Sequence, residues 1–213
     1  MNNALKLLSG GVLFLLFSVT ACTPTRLVDA RKDPSYTGGP MKSVMVLGIA
    51  ESPNSRKMFE EAFSREFRVE GVEAIASLDA IPRDVKLDKD NLESHRDIIK
   101  AAASKQGIQT VFITHLVGVE EKEQYHPPMY DPFVTGPGGF NRPGYYAYHA
   151  TYTPEYTTQQ QYVRLESNLY EVETEKLIWT AASETVDPKS VSEVIDTLCK
   201  AVMKDLRKNG LIQ

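Results

Sequence analysis

The stretch Val44-Met45-Val46-Leu47-Gly48-Ile49-Ala50 is a continuous apolar run. Polar residues do not alternate with apolar ones in it, which is typical of a strand buried on both faces of a sheet. Strands of this kind belong to domains in which helices cover the sheet. The run therefore predicts an α/β domain that begins at about residue 43.

Two helices and two further strands are predicted after this run. Apolar residues that recur every three or four positions mark the helices. The first helix ends at Gly71, and its apolar stripe is Met58, Phe59, Ala62, Phe63 and Phe67. The second helix is capped by Asp88, Asp90 or Asn91 and ends at Gly107. Its apolar stripe is Leu92, His95, Ile98, Ile99 and Ala102. The strands cover residues 72–77 and 110–118. Right-handed crossovers turn this order into a small parallel sheet.

The last fifty residues have a different pattern. Residues 161–172 alternate between apolar and polar, 173–176 form a short turn, and 177–185 return with Ile178 and Trp179, which predicts a β-hairpin with one buried face. Ser190 caps a final helix, which ends at Gly210. The whole order is β-α-β-α-β, a long insertion, then β-β-α: a single α/β domain over residues 43–213, with a mixed sheet and helices packed on it.

The amino-terminal segment has the order of a secretory signal. It carries one positive charge at Lys6, an apolar run over 12–17, and small residues over 18–21. The apolar run is shorter than the roughly 20 residues that span a bilayer core. We therefore expect residues 1–21 to be a signal peptide that is removed.

The residues Val19-Thr20-Ala21-Cys22 resemble the lipobox of bacterial lipoproteins. The resemblance implies that Cys22 receives a diacylglyceryl group and becomes the first residue of a mature chain with three acyl chains, palmitate among them. Several acyl chains anchor a protein stably. Thr23 implies the periplasmic face of the outer membrane, with the inner membrane as the alternative. Ordinary cleavage after Ala21, which leaves a soluble secreted protein, is the other interpretation.

Residues 22–42 are predicted to form a flexible tether behind the lipid. They contain Pro24, Pro34, Gly38, Gly39 and Pro40 and show little apolar periodicity. A flexible stretch of this length spans on the order of 25 Å. The tether would lift the domain clear of the lipid head groups.

The insertion, at about residues 125–160, differs in composition from the rest of the chain. Eight of the ten tyrosines lie between residues 125 and 162, and prolines and glycines accompany them. These prolines and glycines predict no regular element through the first half, whereas alternate tyrosines after it favour a short strand. Tyrosines on a long loop favour partner binding; the alternative is a flap whose rings pack locally. The candidate partner-binding residues are Tyr130, Tyr145, Tyr146, Tyr148, Tyr152 and Tyr156.

No catalytic, cofactor or metal motif is found. Gly136-Pro137-Gly138-Gly139 lacks the Lys-Ser/Thr of a phosphate loop, and Gly-x-Ser-x-Gly and His-Glu-x-x-His are absent from the sequence. His95 and His115 are predicted to be structural, and His126 and His149 have no metal-ligand spacing. Cys199 falls on the apolar face of the last helix and is predicted to be buried. A net charge of −4 with dispersed charges disfavours nucleic acid and anionic lipid surfaces as partners. The sequence predicts a protein that is not an enzyme and that binds no cofactor or metal.

A resemblance to proteobacterial lipoproteins covers roughly residues 43–211. Its motifs are Leu165-Glu166-Ser167-Asn168-Leu169-Tyr170 and Lys176-Leu177-Ile178-Trp179-Thr180-Ala181, followed by a terminal helix. The architecture is similar to the amino-terminal domain of TolB-type proteins and the periplasmic domain of CsgG-type secretion lipoproteins. The resemblance implies a binding or assembly module in the envelope, which contacts another envelope protein or itself. The alternatives are a component of an oligomeric export complex and an envelope hydrolase.

Overall fold

A computed structural model describes residues 25–82, 85, 87, 91–135 and 147–213, and of 131–135 and 147–150 it describes the backbone only. Several predictions lie outside these residues: the signal segment 1–21, the lipid site Cys22, the candidate helix caps Asp88 and Asp90, the segment 136–139, and the candidates Tyr145 and Tyr146. The described residues form one mixed six-stranded sheet, a separate pair of strands, and helices on both faces of the sheet. The predicted α/β class is confirmed.

The six strands of the sheet follow the order β1-β8-β7-β4-β2-β3. Neighbours of β2 are parallel to it, and the pairs β4–β7, β7–β8 and β1–β8 are antiparallel. The bounds are β1 Arg26–Lys32, β2 Ser43–Ile49, β3 Glu73–Ala76, β4 Thr110–His126, β5 Met129–Thr135, β6 Ala147–Thr153, β7 Tyr156–Glu171 and β8 Leu177–Val186, of which β5 and β6 form the separate pair.

Four α-helices connect or follow these strands: α1 Pro53–Val69, α2 Ser77–Ala80, α3 Arg96–Lys105 and α4 Val191–Lys208. The Ser190 side chain caps α4 by accepting a hydrogen bond from the backbone N–H of Glu193 at 3.1 Å, and the Glu193 carboxylate accepts one from the backbone N–H of Lys189 at 2.7 Å. The predicted second helix begins later than expected, because residues 93–95 form a 3₁₀ turn before α3. The sequence missed α2, which is only one turn long.

Aromatic rings form the centre of the core between the sheet and the helices α1 and α4. Phe59, Phe63 and Phe67 recur at every fourth residue and therefore share one face of α1. Phe63 stacks on Phe112 of β4 at 5.0 Å between ring centroids, and Phe112 stacks on Trp179 of β8 at 6.4 Å. A second apolar cluster, with Met45, Leu47 and Ile99 among its members, lies on the opposite face under α3.

A buried carboxylate joins α1 to two other elements. Glu60 is fully buried, and its Oε1 accepts hydrogen bonds from Arg56 Nε at 2.8 Å, Ser77 Oγ at 2.7 Å and Gly48 N at 3.1 Å. Its Oε2 accepts one from the backbone N–H of Leu78 at 2.9 Å. The four bonds hold the carboxyl end of β2 and the beginning of α2 against α1.

The first strand corrects the prediction of a tether over residues 22–42. Arg26–Lys32 is paired with β8 along the edge of the sheet, so the prediction is wrong for these seven residues. The Thr25 hydroxyl lies 2.6 Å from those of both Thr185 and Thr197, which fixes the start of the strand. An edge strand buries few side chains and therefore lacks the apolar pattern by which strands are predicted.

Candidate binding surface on the projecting ribbon

Two strands extend well beyond the sheet. β4 pairs with β2 only as far as His115, and β7 pairs with β8 only from Tyr162 onward, yet β4 and β7 stay paired as far as His126 and Tyr156. We call residues 116–126 and 156–165 the ribbon. At about 3.4 Å per residue it is roughly 35 Å long. Within the described residues, the outer edge of β4 has no neighbouring strand along the whole ribbon.

A β-bulge marks the base of the ribbon. The register of β4 against β7 shifts between Leu116 and Gly118, which makes Val117 an extra residue on β4. Bulges bend a strand and increase its twist, and they occur often where a strand leaves its sheet. The bulge lies directly after the last pair between β4 and β2, so it lies where the ribbon leaves the sheet. The predicted strand, residues 110–118, therefore covers the part of β4 in the sheet and the bulge. β4 continues beyond it to His126.

Both faces of the ribbon carry polar side chains. On one face Arg164 Nη1 lies 2.7 Å from Glu120 Oε1, and Lys122 Nζ lies 4.8 Å from the centroid of the Tyr162 ring. On the other face Glu121 is opposite Gln161, and Glu123 is opposite Gln159. Strands that face lipid alternate apolar side chains with lumen-facing ones. The ribbon has no apolar face of this kind.

Aromatic side chains gather at the far end of the ribbon. The rings of His126 and Tyr156 stack at 4.5 Å with 12° between their planes, and the rings of Tyr130 and Tyr152 lie 4.7 Å apart. Tyr130 is 70% exposed and Tyr152 is 52% exposed. We call this set the aromatic tip; it consists of Tyr125, His126, Met129, Tyr130, Tyr152 and Tyr156.

The strand pair β5–β6, which contributes Met129, Tyr130 and Tyr152 to the tip, corrects one prediction and confirms another. It runs from the pair Met129–Thr153 to the pair Thr135–Ala147, so the prediction of no regular element in the first half of the insertion is wrong for residues 129–135. Pro132 is tolerated because a two-stranded sheet has a single ladder, and every second N–H points away from it. The expected strand through the alternate tyrosines is β6.

The structure brings three of the predicted binding residues together. Tyr130 and Tyr152 are directly opposite each other, and Tyr156 begins β7 four residues after Tyr152, with its ring on that of His126. Tyr148 lies in β6, opposite Val134. The sequence interpretation missed Tyr125, His126 and Met129, which flank Pro127 and Pro128. The sequence feature that could have identified these three residues is their position beside a proline pair within the tyrosine-rich region.

Tyr125 is held at the tip by a hydrogen bond that its hydroxyl donates to Glu155 Oε2 at 2.6 Å. Because the bond requires the phenolic proton, it raises the pKa of Tyr125 above its usual range, and burial adds to the shift. The bond is therefore present while Tyr125 keeps its proton, and it is lost as the pH rises through the raised pKa.

We expect Glu155→Gln to lower the pKa of Tyr125 toward its ordinary value, since the neutral amide is a weaker acceptor for the phenolic proton. Ultraviolet difference titration of tyrosine ionisation measures this pKa, with Tyr125→Phe identifying its contribution. Glu173→Gln, a change to a distant exposed acid, serves as the matched control. An unchanged Tyr125 titration in Glu155→Gln contradicts the assignment of this hydrogen bond.

The other titratable candidates lie away from the ribbon or have structural partners. His95 Nδ1 lies 2.9 Å from the Asn91 carbonyl oxygen, and His115 Nε2 lies 3.9 Å from Glu166 Oε2. Cys199 is buried as predicted, and burial raises the pKa of its thiol strongly. In the part of the chain that the structure describes, no three His, Cys, Asp or Glu side chains are grouped to hold a metal ion. No described helix is long and apolar enough to cross a membrane.

Comparisons with known proteins give a likeness in structure only. No protein-family model and no curated protein matches the chain. The chain is similar to the PelC dodecamer from Paraburkholderia phytofirmans, with 14% identity over 87% of this chain and 99% of that one and a TM-score of 0.42. It is also similar to the lipoprotein GNA1162 from Neisseria meningitidis, with 11% identity over 78% of this chain and 99% of that one and a TM-score of 0.43.

Proposed function

We propose that this protein is a lipid-anchored module of the bacterial envelope that binds another protein through the aromatic tip of the ribbon. The proposal rests on the distribution of exposed large hydrophobic side chains: of the twelve among the described residues, five belong to the aromatic tip, and three more, Leu116, Val117 and Val119, lie at the base of the ribbon. Single exposed hydrophobic residues are normal on a protein surface, whereas a concentration of them marks an interaction site. Here the larger group lies where the β4–β7 pairing ends and the pair β5–β6 begins, beyond the last contacts of β4 with β2 and of β7 with β8.

The chemistry of the tip suits a protein partner. Tyrosine and methionine are enriched at the centre of protein interfaces, where a tyrosine ring supplies a large contact area with few rotatable bonds. The Tyr130–Tyr152 and His126–Tyr156 ring pairs are already packed against each other. Little side-chain entropy is then lost on binding, which favours affinity.

The outer edge of β4 offers a second mode of contact. Along the ribbon its backbone N–H and C=O groups have no partner strand in the described residues, and an extended segment of a partner can add a strand to such an edge. Glu121, Lys122 and Glu123 lie along this stretch. Charged residues on an open edge oppose indiscriminate pairing, so they favour a partner with complementary charge.

The anchor part of the proposal rests on Cys22 and its resemblance to the lipobox. The chain enters β1 only three residues after Thr23, so lipidation at Cys22 would hold the domain close to the membrane. We place the protein on the periplasmic face of the outer membrane, and we assign it no catalytic role. Mass spectrometry of the mature amino-terminal peptide tests the anchor: a mass increase equal to one diacylglyceryl group and one further acyl chain at Cys22 supports it, and an unmodified cysteine contradicts it.

We expect the double change Tyr130→Ser and Tyr152→Ser to weaken capture of the partner from crosslinked envelopes by at least about tenfold, because buried tyrosines at an interface each contribute on the order of 2 kcal/mol. The measurement is quantitative co-purification followed by mass spectrometry. The matched control is Val28→Ser with Val69→Ser, two equally exposed hydrophobic residues outside the ribbon. Equal losses in both double variants, or none in the tyrosine variant, contradict the proposal.

Self-association within an export complex is the second candidate, and the open edge of β4 favours it because two copies of one edge can pair. Size-exclusion chromatography with light scattering on detergent-extracted protein separates the candidates. An assembly of two or more copies that the tyrosine changes dissociate identifies the partner as another copy of this chain. A monomer excludes another copy of this chain as the partner.

A further inference from the structure

A groove of about 570 Å³ runs between the edge strand β1 and the last helix α4. Thr25 and Leu27 line one wall of the groove, and Lys200, Lys204 and Lys208 line the other. The lysines are four residues apart, which places them in one row along α4. The groove is therefore apolar on the β1 side and basic on the α4 side.

The three lysines have no ion-pair partner among the residues that the structure describes. The lining also contains one acid, Asp205, whose Oδ1 accepts hydrogen bonds from the neutral donors Trp179 Nε1 and Asn209 Nδ2, both at 2.8 Å, and which keeps its negative charge. The groove thus presents three cations and one carboxylate, a surplus of positive charge on a chain whose net charge is −4. Its charge is opposite to that of the protein as a whole.

The groove lies only a few residues from Cys22 along the chain. The hydroxyl of Thr25 lies 2.6 Å from those of Thr185 and Thr197. Thr25, the first residue that the structure describes, is therefore held at the wall of the groove. Cys22 precedes Thr25 by three residues, and three residues span at most about 11 Å whatever their conformation. A lipid on Cys22 therefore brings the membrane surface to the groove.

The ribbon leaves the sheet at the same end at which β1 begins, and this arrangement is compatible with a membrane at the β1 edge. Glu184 of β8 pairs with Arg26 at the start of β1 and with Arg164 at the base of the ribbon, so both lie at the same end of the sheet. If the β1 edge rests on a membrane, the ribbon runs along the membrane surface at the distance of two to three strands, roughly 10–15 Å. The polar faces of the ribbon then stay in water, and the aromatic tip stays open to a partner.

We propose that the groove between β1 and α4 docks on the anionic phospholipid head groups of the membrane in which Cys22 is anchored. The lysine ammonium groups bind head-group phosphates, and Leu27 lies beside them as the apolar wall. The proposal rests on the lipid anchor of the proposed function. Basic residues close to an anionic bilayer add to the attachment that acyl chains provide, so the groove sets the orientation of a domain that the lipid alone would leave free to turn.

The test is lysine acetylation of the extracted full-length mature protein, reconstituted into phosphatidylcholine vesicles with and without phosphatidylglycerol. Digestion and mass spectrometry then report the labelling of each lysine. We expect Lys200, Lys204 and Lys208 to be protected only in vesicles with phosphatidylglycerol, and to lose this protection at high salt because the charges are screened. The controls Lys42, Lys57 and Lys105, which are exposed on other parts of the domain, should label equally in both vesicles.

A single substitution in the lysine row tests whether the three lysines bind the vesicle surface together. We expect Lys204→Gln to reduce the protection of Lys200 and Lys208 roughly fivefold, the contribution of one lysine near an anionic surface, while Lys105→Gln leaves it unchanged. Protection in pure phosphatidylcholine, equal protection of the control lysines, or the same protection from inorganic phosphate without vesicles overturns the proposal. The amino-terminal peptide of the same digest shows whether Cys22 carries its lipid. The absence of the lipid anchor is therefore distinguished from the absence of head-group binding by the groove.

Discussion

Replacing Glu60 by alanine is expected to lower the free energy of unfolding by about 3–5 kcal/mol, the usual cost of removing one partner of a buried ion pair. The change leaves Arg56, Ser77 and the backbone N–H groups of Gly48 and Leu78 without the carboxylate that joins them. For a domain of this size the expected fall in Tm is about 10 °C. Urea denaturation followed by circular dichroism measures the free energy directly.

The neighbouring residue Glu61 provides a matched control. It forms the same i,i+4 ion pair on the same helix, with Lys57 at 3.7 Å, but both side chains are exposed. Glu61→Ala should therefore cost less than about 1 kcal/mol. Similar losses in the two variants would show that the Glu60 cluster does not join α1 to β2 and α2 as described.

Replacing residues 127–155 by the dipeptide Asn-Gly is expected to abolish partner binding while leaving the domain folded. His126 and Tyr156 are a directly opposed pair at the end of the ribbon, with rings 4.5 Å apart, so a two-residue type I′ turn can join them. The deletion removes Tyr130 and Tyr152, and the residues of 127–155 whose burial the structure describes include none of the buried core. Partner capture and thermal unfolding are measured on the same preparation.

The expected result is a Tm within a few degrees of the parent protein and no detectable partner. A control that keeps the tip but disrupts an unrelated turn, Thr174→Ala in the β7–β8 hairpin, should retain the partner. Retained binding after the replacement would move the binding surface away from the tip. Loss of binding together with loss of the native circular dichroism spectrum would contradict the description of the tip as separate from the core.

The buried centre of the fold could be predicted from the sequence because burial leaves a pattern. Val44–Ala50 is apolar throughout because β2 is covered on both faces, and Phe59, Phe63 and Phe67 repeat at helical spacing because one side of α1 faces the sheet. Local patterns of this kind depend only on which residues face the core. They required no knowledge of the partner strands.

The edges of the fold could not be predicted for the same physical reason. β1 buries little, and the ribbon exposes both faces, so neither has an apolar pattern that distinguishes it from a loop. Pro132 indicated an irregular segment because proline is excluded from central strands, whereas β5 belongs to a two-stranded pair. The Glu60 cluster joins residues 48, 56, 60 and 77, whose proximity is a property of the tertiary structure alone.

The candidate site was predicted in part. Composition indicated the tyrosine-rich region, and Tyr130, Tyr152 and Tyr156 lie together at the tip. The placement of that region at the end of a two-stranded ribbon depends on the pairing of β4 with β7 over sixteen residue pairs, a non-local feature that a single sequence does not show. The groove between β1 and α4 was missed because β1 itself was not predicted.

Site-specific photocrosslinking in living cells tests the central claim most directly. A photoreactive phenylalanine analogue is placed at Tyr130 or Tyr152 in the tip, or at Val69 on α1, which is 73% exposed and lies outside the ribbon. We predict a crosslinked species of one discrete mass from both tip positions and none from Val69. No crosslink from the tip, or the same species from all three positions, would contradict the account.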